Sequence, residues 1–357
     1  MQHKKNLFLA LVFPVQILLV KLLALFPNTI EHYYSNGVYL FISKTLRYSL
    51  GWIPFSVGDL CYLFLLLFCC KWLYKNRKNL VHKPIQSLTY ITAFLSILYF
   101  SFHLLWGLNY YRPPLHKALT LKHTYTTEEL FKVTENFIHK ANELHLKVAT
   151  NDTLNAVIPY SKKQIFEKTA VSYINLQQQF PSLIYVPKSI KHSLWSVPLT
   201  YAGYSGYLNP FTNEAQVNYL IPKFYAPFVS CHEAAHQIGY AAENETNFIG
   251  FLACTASNDV FFNYAGATFA VRYCLNELHK RDKNKYDYLL QKLNIGILKD
   301  YQKSKDFWDS YQSPIESFFK YSYDLFLKSN SQQKGIKSYS YVVALLVNYQ
   351  LQEKQLY

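Results

Sequence analysis

The sequence predicts a mostly helical α+β protein, with three N-terminal transmembrane helices followed by a globular part that holds a small sheet or hairpin. Three observations carry this expectation. Residues 7–26, 57–74 and 88–108 form apolar stretches, each close to the ~20 residues a helix needs to cross hydrocarbon. Half of the 357 residues are hydrophobic and only 16% are charged, against about 25% in a soluble domain. Beyond residue 109, helix caps and turn residues alternate with apolar segments, the pattern of a folded body.

In chain order, the first stretch is interrupted by Pro14, Gln16 and Lys21. Met1-Gln-His-Lys-Lys5 resembles the basic start of a signal peptide, but the length of the stretch and two further spans predict a retained anchor. Flanking charge sets the orientation. Lys4 and Lys5 precede the first span, and Lys75, Arg77, Lys78 and Lys83 follow the second. The loop between the first and second spans carries only Lys44 and Arg47, offset by Glu31. The richer segments are expected in the cytoplasm. Residues 1–109 then form a multi-pass domain of the cytoplasmic membrane, and residues 110–357 an extracytoplasmic domain.

Arg112-Pro113-Pro114 ends the third span, because paired prolines stop a helix. Thr126-Thr-Glu-Glu129 reads as a capping box opening a helix to about Val148, and residues 161–179 read as another helix. Residues 181–218 are rich in Pro, Gly, Ser, Thr and aromatics, which predicts short strands and a hairpin turning near 210–213. From Pro222 onward the chain reads mostly helical. Residues 247–275 are apolar, yet Asn258, Asp259 and Asn263 in their middle are costly in lipid. A buried helical pair is expected there.

The net charge of +14 is spread along the chain. No basic stripe on a known module is present, which argues against nucleic acid as a partner and leaves anionic lipid headgroups as the milder explanation. The abundance of Tyr (32) and Phe (26) suits an aromatic core or membrane interface. Six cysteines contain no C-x-x-C pair, so neither a disulfide framework nor a cysteine zinc site is expected.

Chemistry concentrates in Ser230-Cys-His-Glu-Ala-Ala-His-Gln-Ile-Gly239. On a helix, positions four apart share a face, so His232 and His236 can grip one metal ion. Glu233, one step around, can reach a water beside that ion and act as general base. Phe228, Cys231, Ala235 and Ile238 give the same helix an apolar face, Pro227 suits its first turn, and Gly239 can end it with a left-handed residue. A catalytic zinc needs three protein ligands and an open position. Glu243 is the expected third ligand, with Glu245 the alternative, and Asn247, four residues on, is expected to hydrogen-bond a ligand histidine. The hairpin over 207–218 could offer an edge strand to an extended peptide. Tyr264 is the expected donor to the developing oxyanion, with Arg272 and His279 as looser choices. His103, His116, His123, His139, His145 and His192 show no ligand spacing.

His-Glu-x-x-His followed by Glu-x-x-x-Asn resembles the gluzincin metallopeptidases. That resemblance implies a zincin-like catalytic domain, with Zn2+ on His232, His236 and Glu243 and with Glu233 as the base. The whole chain more closely resembles a bacterial membrane family of unknown function (domain of unknown function 3810). The residues that carry it are Trp106-Gly-Leu-Asn-Tyr-Tyr-Arg112, Asn209-Pro-Phe-Thr-Asn-Glu-Ala215, His232-Glu-Ala-Ala-His-Gln237 and Glu243-Asn-Glu-Thr-Asn-Phe248. Only six residues separate His236 from Glu243, so the turn between them must be tight. The expected function is a membrane-anchored zinc metallopeptidase acting on a peptide or protein at a lipid bilayer. The rivals are a membrane scaffold or assembly protein with a structural zinc, and a transporter or sensor component. Little intramembrane charge argues against the last.

Overall fold

The computed structural model describes residues 2–330 and 341–353, and that part of the chain is mostly helical. The N-terminal third holds α1 (Gln2–Leu23), a short α2 (Pro27–Thr29), a π-helical segment (Ile30–Val38), α3 (Tyr39–Leu50), α4 (Val57–His82) and α5 (Pro84–Leu105). A 3-10 turn (Gly107–Tyr111) and α6 (Leu115–Ala118) lead to α7 (Thr127–Val148) and α8 (Lys162–Gln179). Next come β1 (Ile190–His192), α9 (Ser196–Tyr201), β2 (Gly206–Asn209) and β3 (Glu214–Val217). The remainder is α10 (Ala226–Gln237), α11 (Glu243–Thr255), α12 (Val260–Arg281), α13 (Lys283–Leu290), α14 (Ile295–Asp309), α15 (Pro314–Ser329) and α16 (Val342–Glu353).

Three helices, within α1, α4 and α5, are long and apolar enough to cross a membrane. They mark a membrane protein. α1 lies along α5, with Phe13 edge-on to Tyr99 at 5.6 Å between centroids. The outward Phe8, Leu11, Val15 and Leu18 are each more than half exposed, the surface a bilayer would cover. α4 runs well past its apolar stretch, through Lys75 to His82.

Between the first and second spans the structure departs from the expected loop. Residues 30–50 are helical, with Ile30, Tyr34, Tyr39, Ser43 and Arg47 buried. Arg47 is not a loop charge facing water. It is 1% exposed, and Nη1 donates to the Pro187 carbonyl at 2.9 Å. Its guanidinium also lies 5.3 Å from the centre of the Tyr185 ring, so packing and hydrogen bonding, rather than solvent, hold this cation.

The sheet has the order β1-β3-β2, with β1 parallel and β2 antiparallel to β3. The expected hairpin is β2–β3. Its turn is shaped by the Asn209 side chain, which accepts from the Phe211 and Thr212 amides, and by Asn213 at φ 53°. Glu214 then reaches the start of α4, accepting from the Gly58 amide at 2.6 Å and the Val57 amide at 3.2 Å while pairing with buried Lys191. A carboxylate at a helix N-terminus meets free amides and the positive end of the dipole. One residue on, Asp59 accepts from the Leu194 amide at 2.6 Å and from Tyr207. These bonds join the second span rigidly to the sheet.

The main core gathers α7, α8, α10, α11, α12 and α16. Both expected helix starts are capping boxes, Thr126 with Glu129 and Ser161 with Gln164. Residues 247–275 fold as a buried pair within α11 and α12, not as a fourth span. Asp259 caps α12 and takes the Lys168 ammonium at 2.8 Å.

Candidate metal centre

The site grows from α10, which is buried along nearly its whole length, with Pro227 in its first turn. Its end is a Schellman turn: the Tyr240 amide donates to Ala235 O at 3.3 Å and the Gly239 amide to His236 O at 3.0 Å. Gly239 has φ 92°, and a Cβ there would stand 2.9 Å from the Tyr39 ring. Only glycine meets both demands. The turn brings the Tyr240 carbonyl back to His236 Nδ1 at 2.8 Å, which fixes that ring and leaves Nε2 toward the cluster.

Residues packed around α10 hold its C-terminus. Trp106 Nε1 donates to the His236 carbonyl at 3.2 Å, and Arg112 Nη1 to the Gly239 carbonyl at 2.8 Å. Arg112 also pairs with Glu31 at 2.7 Å and covers the Tyr240 ring. A cation there offsets the negative end of the helix dipole. Tyr39 donates to the Gln237 carbonyl, while the Gln237 side chain donates to the carbonyls of Ser189 and Asn213. Residues of the Trp106–Arg112 and Asn209–Ala215 motifs therefore meet at the end of the helix that carries His232–Gln237.

The tight turn delivers Glu243 to the two histidines. His232 Nε2 lies 3.3 Å from Glu243 Oε2, and His236 Nε2 lies 3.7 Å from Glu243 Oε1. The three ligand atoms fall within 4.8 Å of one another. Ligands about 2.0–2.1 Å from one ion at tetrahedral angles stand about 3.3–3.4 Å apart, so this donor set fits a single metal ion with little adjustment. Glu245 goes elsewhere, with Oε1 accepting from the Leu115 amide at 2.7 Å. Asn247 lies near enough to His232 to help raise the pKa of that histidine, but the expected hydrogen bond to a ligand histidine is not made: His232 Nδ1 and Asn247 Nδ2 both lack a partner among the described residues.

Charge within the cluster is strongly coupled. Burial works against a proton on His232, but the hydrogen bond and charge of Glu243 leave its pKa raised. Burial alone would raise the pKa of Glu243. Hydrogen bonds from His232 and Tyr323 and the nearby imidazoles instead bring it down to about 2. His236 is lowered to about 4, mainly by burial. Glu233 is pushed up to about 8, again mainly by burial, and its Oε2 has no hydrogen-bond partner among the described residues.

His232, Glu233, His236, Glu243 and Asn247 all line one cavity of about 810 Å³. The strand β2 forms part of its wall. Gly206 lets the strand approach Glu233, since a Cβ there would stand 2.6 Å from Glu233 Oε1. Tyrosines 110, 204, 225, 273 and 323 also line it, and the Tyr323 hydroxyl donates to Glu243 Oε1.

Tyr264 is not brought to this site. It is fully buried, and its hydroxyl donates to Asp300 Oδ2 at 2.6 Å, outside the cavity lining. Its place on α12 faces α14, so the expected donor role falls away. Arg272 stands over Tyr301, and His279 against Tyr286, both also outside the lining. Of the tyrosines that do line the cavity, Tyr110 belongs to the Trp106–Arg112 motif, while Tyr204, Tyr225, Tyr273 and Tyr323 come from segments without one. Nothing in a chain of 32 tyrosines distinguishes them.

No curated protein and no solved structure matches the chain. A family model matches residues 34–347, a span that includes the buried helical segment after the first span, the hairpin, α10 and α11. The chain therefore belongs to the family described as "Protein of unknown function (DUF3810)".

Proposed function

We propose that this chain is a membrane-anchored zinc metallopeptidase of gluzincin type. Its zincin-like catalytic domain, residues 110–357, stands on the extracytoplasmic side of the cytoplasmic membrane. The observation that carries this reading is the unpartnered Glu233 Oε2 on an open cavity, beside two imidazoles and the Glu243 carboxylate at metal-ligand spacing. The orientation rests on the lysines and arginines flanking the spans.

His232, His236 and Glu243 would hold the ion, and a ligand set of two His and one Glu suits zinc. When bound, it supplies a Lewis-acidic centre that polarises a carbonyl and eases deprotonation of water. Beside that added positive charge Glu233 loses its own proton at neutral pH. It then takes a proton from water at its free oxygen and returns it to the departing amine. The Tyr240 carbonyl keeps the His236 imidazole oriented. The cavity tyrosines supply hydroxyl donors for the carbonyl oxygen as it gains charge. A closed structural zinc takes four protein ligands, whereas three donors facing a cavity leave one position for substrate.

Metal analysis and peptide hydrolysis by the purified full chain test this. Glu233→Gln should keep the metal and lose about 10²–10⁴-fold in hydrolysis, the usual worth of a general base. His236→Ala should lose the metal. Wild-type hydrolysis by Glu233→Gln, or a cobalt-substituted site with a spectrum of four protein ligands, overturns the proposal.

A further inference from the structure

The cavity is walled in part by the membrane helices themselves. Tyr62 and Leu66 of α4 and Phe102 in the last turn of α5 line it together with the metal-site residues. Leu66 lies about 13 Å along the helix from Val57, well inside the apolar stretch. Its side chain is 55% exposed, next to the outward Phe64, Leu67 and Phe68. The cavity surface is thus continuous with the surface of α4 that a bilayer would cover. α15 adds to the same level. Its Phe326 packs edge-on against Phe102 at 5.9 Å, while Phe318 and Tyr321 stay about two-thirds exposed at 66% and 65%, the arrangement of an aromatic interfacial helix.

The second observation is the strand. In the order β1-β3-β2, β2 is an edge, and Ser205 to Leu208 line the cavity. An extended chain can add to such an edge through main-chain hydrogen bonds. At its Gly206 end β2 touches Glu233. Past its other end, Phe211 meets Tyr62 of α4 edge-on at 6.3 Å. Tyr207, next to Gly206, already stacks on the same Tyr62 ring at 6.4 Å, so a chain running along β2 from Glu233 stays beside α4 from its first residues to about the fifth.

From this we propose that the site takes polypeptides inserted in the bilayer, entering from the lipid beside α4, and cuts them within a few residues of their apolar segment. This deepens the peptidase reading and rests on it. Proteins recognised through a soluble loop far from any membrane segment would have no use for a cavity wall built from a span.

The test uses the zinc-loaded full chain in phospholipid vesicles. One fluorogenic peptide is joined to a membrane-spanning Leu/Ala segment by a polar linker of about four or about sixteen residues. Both substrates share the same surface concentration, so a rate difference reports the position of the apolar segment. The short linker should be cleaved about tenfold faster or more, the discrimination an apolar pocket gives to one or two groups. Equal rates, or a faster long-linker substrate, overturn the proposal. Equal cleavage of the same peptide on a single acyl chain also overturns it, in favour of a lipid-linked substrate.

A binding readout separates this inference from the chemistry. In the Glu233→Gln background, photoreactive benzoylphenylalanine in place of Leu66 should crosslink to the short-linker substrate and not to the peptide lacking a span. Crosslinking without hydrolysis by the wild-type chain keeps the entry from the lipid beside α4 and removes the peptidase reading, and the cleavage position with it. Hydrolysis of every substrate alike without crosslinking does the reverse.

Discussion

The close approach of β2 to Glu233 offers a way to disturb the proposed base while leaving His232, His236 and Glu243 alone. In Gly206→Ala the new methyl would stand 2.6 Å from Glu233 Oε1 and 2.6 Å from the Gln216 carbonyl oxygen. Ordinary contact begins near 3.4 Å, so the neighbours must give way by about 0.8 Å. The Gln216 oxygen belongs to the strand next door, paired with β2, while the Glu233 carboxyl turns about its own side-chain bonds and has a free oxygen. The carboxyl is therefore the group that moves. A misplacement of about 1 Å at a catalytic group costs about 100-fold in rate. Overpacking at the strand adds about 1–3 kcal/mol of destabilisation, which leaves a folded chain. The assay is kcat/KM on the fluorogenic peptide, run beside zinc stoichiometry and a melting curve. The expected result is one bound zinc as in the wild type, a modestly lower Tm, and about a 100-fold loss in kcat/KM. Undiminished hydrolysis with the substitution in place would refute Glu233 as the base; loss of zinc would refute the separation of base from ligands.

Further outcomes follow from the same geometry. Glu243→Ala should strip zinc from the purified protein while Glu245→Gln, whose side chain faces the Leu115 amide, retains it, both read by metal analysis. Glu233, at about 8 against an ordinary 4.5, holds in the folded metal-free state a proton that the unfolded chain releases. Its contribution to stability is thus full below pH 4.5 and lost as pH rises through about 8. The gap in Tm between zinc-loaded and zinc-free protein should widen over that range, and Glu233→Gln should narrow the widening. Glu214→Gln leaves Lys191 charged in a buried position and uncaps α4, so unfolding in detergent should become easier by about 3–5 kcal/mol. Wild-type stability for that variant would show that the pair does not anchor the span.

The features legible in the chain itself are short-ranged. Apolar stretches, the capping boxes at Thr126 and Ser161, the hairpin turn and the left-handed Gly239 each depend on residues a few positions apart. The same holds for His232, Glu233 and His236, because one turn of helix sets which side chains share a face. Sequence alone therefore placed His232, Glu233 and His236 on one helix and located the three long apolar helices. The choice between Glu243 and Glu245 was of another kind. Two residues apart on a helix face directions roughly 200° apart, and only the packing of α11 against α10 turned one of them to the histidines and the other to the Leu115 amide. Tyr323 reached the cluster across 80 residues, while Tyr264 was turned to Asp300. Arg47, read as a loop charge, became a buried strut because a surface some 140 residues away met it. Such contacts are decided by which surfaces find each other when the core closes, and no local pattern of residues encodes that meeting.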